Sequence, residues 1–125
     1  MERTLATMSV FVVLFACIFS GANATAAEIV RSQEQELELA PRSNEEPCIK
    51  LKRNDLLEIY FSASAEVDFN IHYHLESQVR FPVNLKHQLE YKDSYIAPAT
   101  RDYCLMWTNK NEQPVRLQYQ YQVRR

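Results

Sequence analysis

A strict alternation of apolar and polar residues constrains the fold of this chain more than any other feature. Near the C-terminus, apolar Val115, Leu117, Tyr119, Tyr121 and Val123 alternate with polar Arg116, Gln118, Gln120, Gln122 and Arg124. Successive side chains of a β-strand point to opposite faces, so this segment predicts a strand with one face in a core and one in water. A helix would instead need apolar residues three or four positions apart.

The same alternation recurs along the rest of the chain. It covers residues 37–39, 57–61, 67–75, 85–91 and 103–108, where it places His87 on the apolar side of its strand. Turn-forming residues separate these segments, among them residues 62–66, and the asparagines Asn54, Asn109 and Asn111 are the best candidates for left-handed turn positions. About seven or eight strands at this spacing predict an all-β fold, an antiparallel β-sandwich of the jelly-roll kind.

The chain contains one glycine, Gly21, and this excludes several classes of function. Phosphate-binding loops, dinucleotide-binding turns and the nucleophile elbow of hydrolases all need glycine, and the chain has none after residue 21. The 14 basic and 16 acidic residues leave no basic excess, so a nucleic-acid partner is not expected. The cysteines, serines and histidines form no recognisable catalytic arrangement, so we do not expect an enzyme. A small hydrolase remains a third possibility that would need a pocket with convergent polar groups.

The N-terminus has the pattern of a cleavable signal peptide. Arg3 precedes an apolar run over residues 10–19, and small residues follow that allow cleavage after Ala24 or Ala26. We therefore expect a signal peptide at residues 1–26, a single domain at residues 27–125, and a periplasmic or secreted protein without a membrane span. Cys17 lies in a lipobox-like sequence, so a lipid anchor there is a less favoured alternative.

Removal of the signal peptide would leave two of the three cysteines, Cys48 and Cys104. An even number of cysteines in an exported chain favours a disulfide. A bridge between them would close a loop of about 57 residues, which corresponds to about 4 kcal/mol of stabilisation in the chain-entropy model.

The order of several landmarks resembles the GOLD (Golgi dynamics) domain, the lumenal β-sandwich of early-secretory-pathway cargo receptors. The similar segments are residues 36–41, Cys48, residues 52–59, residues 67–71, Cys104 and Trp107. Asn54 stands where that family usually has glycine. The resemblance implies a β-sandwich that acts as a binding module. The coiled coil and membrane anchor of cargo receptors do not follow the domain here, so their receptor role is not implied.

One predicted strand carries the best candidates for a binding face. Residues two apart in a strand share a face, so the outward side chains of this region would be Tyr60, Asp68, Asn70, His72 and His74. An aromatic and polar sheet face of this kind is typical of protein-binding or glycan-binding surfaces. The sequence therefore predicts an exported, non-enzymatic binding or accessory module for a protein or glycan, without a cofactor.

The alternative is a metal-binding protein that uses His72 and His74. A His-x-His pair on one strand face can supply two ligands to zinc or copper, and a third ligand would have to come from His87, Glu76 or Asp68. Two ligands alone are weak evidence, so this remains the second hypothesis. Glu45 and Glu46 lie in a turn-like segment and are interpreted as solvated charges.

Overall fold

Seven antiparallel strands make up the fold in a computed structural model that describes Gly21 and residues 25–125. They are β1 (Ile29–Leu39), β2 (Asn44–Glu45), β3 (Cys48–Leu51), β4 (Leu56–Leu75), β5 (Gln78–Ile96), β6 (Arg101–Thr108) and β7 (Val115–Arg124). The predicted all-β antiparallel fold is confirmed. Most of the predicted signal peptide, including Cys17 and Ala24, lies outside the described residues. Within residues 25–125, no helix is long and apolar enough to span a membrane.

The long strand β4 organises the whole sheet. Its first half, from Leu56 to Ala63, pairs with β7, and its second half, from Asp68 to His72, pairs with β6. Strand β5 pairs with both halves of β4, along its other edge. Strand β1 extends the sheet beyond β7, whereas the short strands β2 and β3 lie along β6. Because β4 exchanges one partner for another midway, the sheet turns around one shared core.

Residues 62–66, predicted as a break between two strands, lie within β4. The prediction that one strand ends and another begins there is wrong, although the pairing with β5 does become irregular between Ser62 and Val67. The backbone amide of Arg116 in β7 donates a hydrogen bond of 2.9 Å to the hydroxyl of Ser64. Polar residues in this segment therefore hold the irregular part of a continuous strand, a role that local turn propensity does not predict.

The predicted alternation in β5 fails at His87. This residue has a φ of 57°, and its side chain is exposed instead of lying on the apolar face. A left-handed residue inside a strand produces a bulge, after which the inward and outward positions exchange. Leu85 and Gln88, on either side of the bulge, are consequently both half-buried, and Leu89 is exposed. The exchange ends before Tyr91, which is half-buried as the alternation predicts, because the pairing with β4 is irregular again between Gln88 and Glu90.

Buried aromatic rings fill the core where the two halves of β4 meet. The ring of Trp107 lies 5.2 Å from that of Phe69, 5.7 Å from that of Phe61 and 4.3 Å from that of Tyr119. Strand β6, which carries Trp107, lies between β4 on one side and β2 and β3 on the other, as its apolar sequence predicts. Large aromatic side chains of this kind contribute most of the apolar area that a small core can bury.

One of the three predicted left-handed turn positions is correct. Asn54 has a φ of 71°, whereas Asn109 and Asn111 do not adopt positive φ. Asn109 is fully buried, and its side-chain amide donates hydrogen bonds to the backbone carbonyls of Leu39, Ala40 and Gln113. Its role is thus to satisfy carbonyls of two separate chain segments, which depends on long-range contacts and cannot be found from local turn propensity.

The disulfide predicted from the cysteine count is present. Cys48 in β3 is the direct antiparallel partner of Cys104 in β6, and the two sulfurs are bonded. This bridge fixes the short strand β3 to the centre of the sheet. It also lies beside the second half of β4, because Cys104 is paired with His72 on its other side.

Candidate functional site: the end of the β4–β5 hairpin

The end of the β4–β5 hairpin extends beyond the rest of the sheet. The pairing of β4 with β6 ends at His72, whereas its pairing with β5 continues to Leu75 and Gln78. From Tyr73 onward the structure is therefore a two-stranded extension, with Glu76 at a φ of 55° in the turn. Residues 74–82 of this extension are all exposed, so their side chains are available for contact with another molecule.

One face of this extension carries an exposed apolar patch. Val79 is paired with His74, and Phe81 lies two residues from Val79, so these three side chains share a face. The exposed fraction is 41% for Val79 and 48% for Phe81. We call His72, His74, Val79 and Phe81 the hairpin surface. Among the residues that the structure describes, Phe81 is the only Phe, Tyr or Trp that is exposed.

His72 forms the fixed base of the hairpin surface. Its exposed fraction is only 4%, and its ring lies 5.6 Å from those of both His74 and Phe81. The ring nitrogen Nδ1 is 2.8 Å from Oδ1 of Asn70, and Nε2 is 2.9 Å from a carboxylate oxygen of Glu46. Contacts at both nitrogens hold the imidazole in one orientation, so the patch has a rigid base.

Aromatic contacts on the opposite face fix the direction of the hairpin. The ring of Tyr73 lies 5.5 Å from that of Tyr103 in an edge-to-face arrangement, and the Arg101 guanidinium lies 4.5 Å from the centre of the Tyr73 ring. Such aromatic and cation–π contacts stabilise a specific geometry. The hairpin surface is therefore preorganised, which lowers the conformational entropy cost of binding a partner.

Asp68, a predicted member of the binding face, is bound within the protein. Its carboxylate accepts hydrogen bonds from Nζ of Lys110 at 2.6 Å and from the backbone amide of His87 at 3.1 Å, and Lys86 lies 3.4 Å away. Burial by itself would raise the pKa of Asp68, but the hydrogen bonds and the two lysine charges outweigh it and keep the pKa below the ordinary value. Asp68 thus stabilises the bulge at His87.

Tyr60 lies in a different region from the two histidines. Twelve residues of β4 separate it from His72, which corresponds to about 40 Å along an extended strand. It lies in the middle of a concavity of about 480 Å³ on the outer face of β7, β4 and β5. The outward side chains of that concavity are those of Glu58, Tyr60, Lys92, Ser94, Gln120 and Gln122. The structure therefore divides the predicted face between two locations.

Glu46, interpreted from sequence as a solvated charge, contacts His72. Within the described residues, the one group of three side chains with ligand-type atoms close together is Glu46, His72 and Cys104, whose atoms lie within 4.8 Å of one another. His74 does not belong to this group, and the sulfur of Cys104 is bonded to Cys48. The cross-strand positions of Cys48, Cys104 and His72 are the signal that could have placed Glu46 here, because Glu46 precedes Cys48 by two residues.

Two solved structures of lysozyme inhibitors share this fold. The inhibitor PliG of Aeromonas hydrophila, titled a periplasmic inhibitor of g-type lysozyme, has a TM-score of 0.59 and 10% identity, covering 74% of this chain and 85% of that one. The PliG protein of Salmonella Typhimurium, titled in the same way, has a TM-score of 0.53 and 15% identity, with coverage of 74% and 86%. No protein-family model and no curated protein sequence matches the chain.

These structures overturn the resemblance to GOLD domains. The two solved proteins that share the fold are similar to this chain without being GOLD domains, so the landmarks of the sequence had a more general cause. Alternating strands, one cysteine pair and an asparagine turn are features that many disulfide-bonded antiparallel domains have in common.

The structure also bears on the compartment predicted for this protein. A disulfide between Cys48 and Cys104 forms and persists in an oxidising environment such as the periplasm or the extracellular space. The two lysozyme inhibitors described above are both periplasmic proteins. The disulfide therefore supports the export that the N-terminal sequence predicts.

Proposed function

We propose that this protein is an exported, non-enzymatic binding module that inhibits a lysozyme-type glycoside hydrolase through its hairpin surface. The proposal rests on one observation above all. Phe81 is a large aromatic residue that remains 48% exposed on a rigid hairpin, whereas the other described aromatic residues are buried or half-buried. Exposed apolar patches with a polar rim mark protein-interaction surfaces, and aromatic residues contribute most of their binding energy.

The shape of the hairpin suits a cleft-binding inhibitor. Paired strands lie only about 5 Å apart, so a two-stranded extension can enter a groove that a whole domain cannot. Glycoside hydrolases cleave sugars between two carboxyl groups in such a groove. The hairpin end carries the donor side chain of His74 beside its apolar patch and that of Arg80, the partner of Tyr73, on its opposite face. It thus offers hydrogen-bond donors to carboxylates and apolar area to the groove walls.

Inhibition of a g-type lysozyme on bacterial cell walls tests this proposal. We expect the wild-type protein to inhibit hydrolysis, and we expect Phe81→Ala to raise the half-inhibitory concentration at least tenfold, about 1.4 kcal/mol or more. Leu89→Ala is the matched control, because Leu89 is an exposed apolar residue of the same strand outside the hairpin surface. Absence of inhibition by the wild-type protein, or equal effects of the two substitutions, would contradict the proposal.

The concavity around Tyr60 supports glycan binding as a second candidate function. A half-buried tyrosine surrounded by amide, hydroxyl and charged side chains offers a flat apolar surface and several hydrogen-bonding groups. Isothermal titration calorimetry with an oligosaccharide of N-acetylglucosamine tests whether this concavity binds glycans. Tyr60→Ala should abolish any binding, and Gln113→Ala, at an exposed position in another loop, should leave it unchanged. No heat with the wild-type protein would eliminate this candidate.

A further inference from the structure

The contact between His72 and Glu46 has a specific chemical requirement. Nε2 of the imidazole lies 2.9 Å from a carboxylate oxygen, and the other ring nitrogen lies 2.8 Å from the amide oxygen of Asn70. An amide oxygen is an acceptor, so Nδ1 donates its proton to Asn70. A neutral imidazole then has its lone pair on Nε2, directed at the carboxylate. Such a contact is favourable only when a proton or a metal cation lies between the two atoms.

The Cys104 sulfur of the disulfide lies next to this position, and the Cys48 sulfur is one bond away from it but outside the group of atoms around His72. The Cys104 sulfur belongs to the same group of atoms within 4.8 Å, and Cys48 is bonded to it. Tetrahedral zinc prefers four ligands drawn from thiolate, imidazole and carboxylate groups, with Zn–S distances of about 2.3 Å and Zn–N and Zn–O distances of about 2.0 Å. In that geometry, the imidazole nitrogen and the carboxylate oxygen would be about 3.3 Å apart. The observed 2.9 Å is already close to this value.

We propose that reduction of the disulfide creates a Zn²⁺ site formed by Cys48, Cys104, His72 and Glu46. A dithiol reductant supplies two electrons and two protons, becomes a disulfide itself, and leaves two cysteine thiols. Binding of Zn²⁺ then displaces the two thiol protons and the proton shared by Nε2 and the carboxylate, all three of which pass to the buffer. It forms two Zn–S bonds, one Zn–N bond to Nε2 and one Zn–O bond to the carboxylate. The sulfurs must separate by about 2 Å to accommodate the metal. The exposed position of Cys48 on a short strand permits this movement.

Asn70 has the position of an outer-shell group in this site. A metal-bound histidine almost always donates its second ring proton to an oxygen atom, which fixes the tautomer and the orientation of the ring. Asn70 does this for His72 before any metal is present, at 2.8 Å. The zinc site would therefore fix β3 to β4 and β6 at the same point as the disulfide. It also replaces the predicted pair of His72 and His74, because only His72 faces the ligand group.

Spectroscopic titration of the full chain with Co²⁺ and Zn²⁺ tests the proposal. After reduction by a phosphine that does not bind the metal, we expect one Co²⁺ per chain, with the charge-transfer absorption of thiolate ligands and the visible bands of a tetrahedral ion. Zn²⁺ should displace it and raise the melting temperature of the reduced protein. The oxidised protein should bind at least 100-fold more weakly, because two ligands are absent.

Matched variants distinguish this ligand set from the alternatives. His72→Ala should weaken Zn²⁺ binding by the reduced protein at least tenfold, and Asn70→Ala by about tenfold to 100-fold. His74→Ala should not change it, because His74 is outside the group. The proposal fails if the reduced chain shows no thiolate absorption with Co²⁺, if it unfolds and Zn²⁺ does not restore its circular dichroism, or if His74→Ala has the larger effect.

Discussion

The two halves of β4 have the same sequence pattern but different surroundings. In the first half, the outward residues Glu58, Tyr60 and Ser62 are half-buried, and Glu58 and Tyr60 border an open concavity. In the second half, Asp68, Asn70 and His72 occupy the equivalent outward positions and are buried. Each of these three side chains has a polar contact within the protein. Alternation therefore predicted which side chains point outward in both halves, but not whether water reaches them.

The difference arises from what covers the outer face. Glu46 lies over His72, and Lys86 and Lys110 contact Asp68. These residues come from the loop between β2 and β3, from β5 and from the loop after β6. Buried polar groups are tolerated only where they are hydrogen-bonded. We therefore expect the second half of β4 to be the more sensitive to substitution, and four predictions test this expectation.

Removal of the disulfide should have the largest effect. The double substitution Cys48→Ser/Cys104→Ser releases β3 from the sheet beside the second half of β4, and the two cysteines are 56 residues apart. We expect the free energy of unfolding to fall by about 4 kcal/mol in urea denaturation. Amide hydrogen exchange should rise more at residues 68–72 than at residues 58–62. Equal increases in both halves would show that the bridge acts only on the unfolded chain.

The second prediction compares His72→Ala with Tyr60→Ala. Loss of the His72 imidazole leaves Asn70 and Glu46 without their partner, so we expect a decrease of about 2–3 kcal/mol in the free energy of unfolding. Tyr60 makes no side-chain hydrogen bond among the described residues and is half-buried, so its removal should cost about 1 kcal/mol. Thermal and urea denaturation of both variants measure the difference. A larger loss for Tyr60→Ala would reverse the proposed ranking of the two halves.

The third prediction concerns pH and Asp68. Its folded pKa is lowered, so its contribution to stability is present above the unfolded value of about 3.9 and is lost as the pH falls through the folded value. Asp68→Asn should therefore destabilise the protein by about 1–2 kcal/mol at pH 7. It should also reduce the loss of stability below pH about 4. The test is urea denaturation across the acid range, and parallel pH curves for the two proteins would contradict the prediction.

The smallest effect is expected for Glu58→Gln. Glu58 forms a 2.7 Å ion pair with Arg124, but both side chains are partly exposed. Ion pairs of this kind contribute about 0–1 kcal/mol and weaken as salt is added. We expect a change of about 0.5 kcal/mol or less that disappears at high ionic strength. If Glu58→Gln lowered the free energy of unfolding as much as Asp68→Asn, solvent exposure would not explain the different sensitivities expected for the two halves of β4.

Local sequence patterns predicted the regular parts of this fold. Strand β7 has the predicted alternation from Val115 to Val123, and Asn54 has the predicted left-handed backbone. The cysteine count predicted the disulfide. The patterns failed at His87 and in residues 62–66, where a bulge and an irregular pairing lie inside long strands. A strand can continue through such residues when neighbouring strands supply hydrogen bonds to them. Those neighbouring strands are distant in sequence, so local patterns do not reveal them.

The sequence by itself determined the regular stretches of strand, their inward faces and the presence of one cysteine pair, because period-two alternation and cysteine number are local properties. The tertiary structure alone decided which outward faces are covered. It brought Glu46 to His72, separated Tyr60 from both histidines, and left Phe81 exposed on the hairpin end. These placements depend on contacts between residues far apart in the chain. The features on which we base function are therefore long-range ones, carried by a fold that short-range patterns specify.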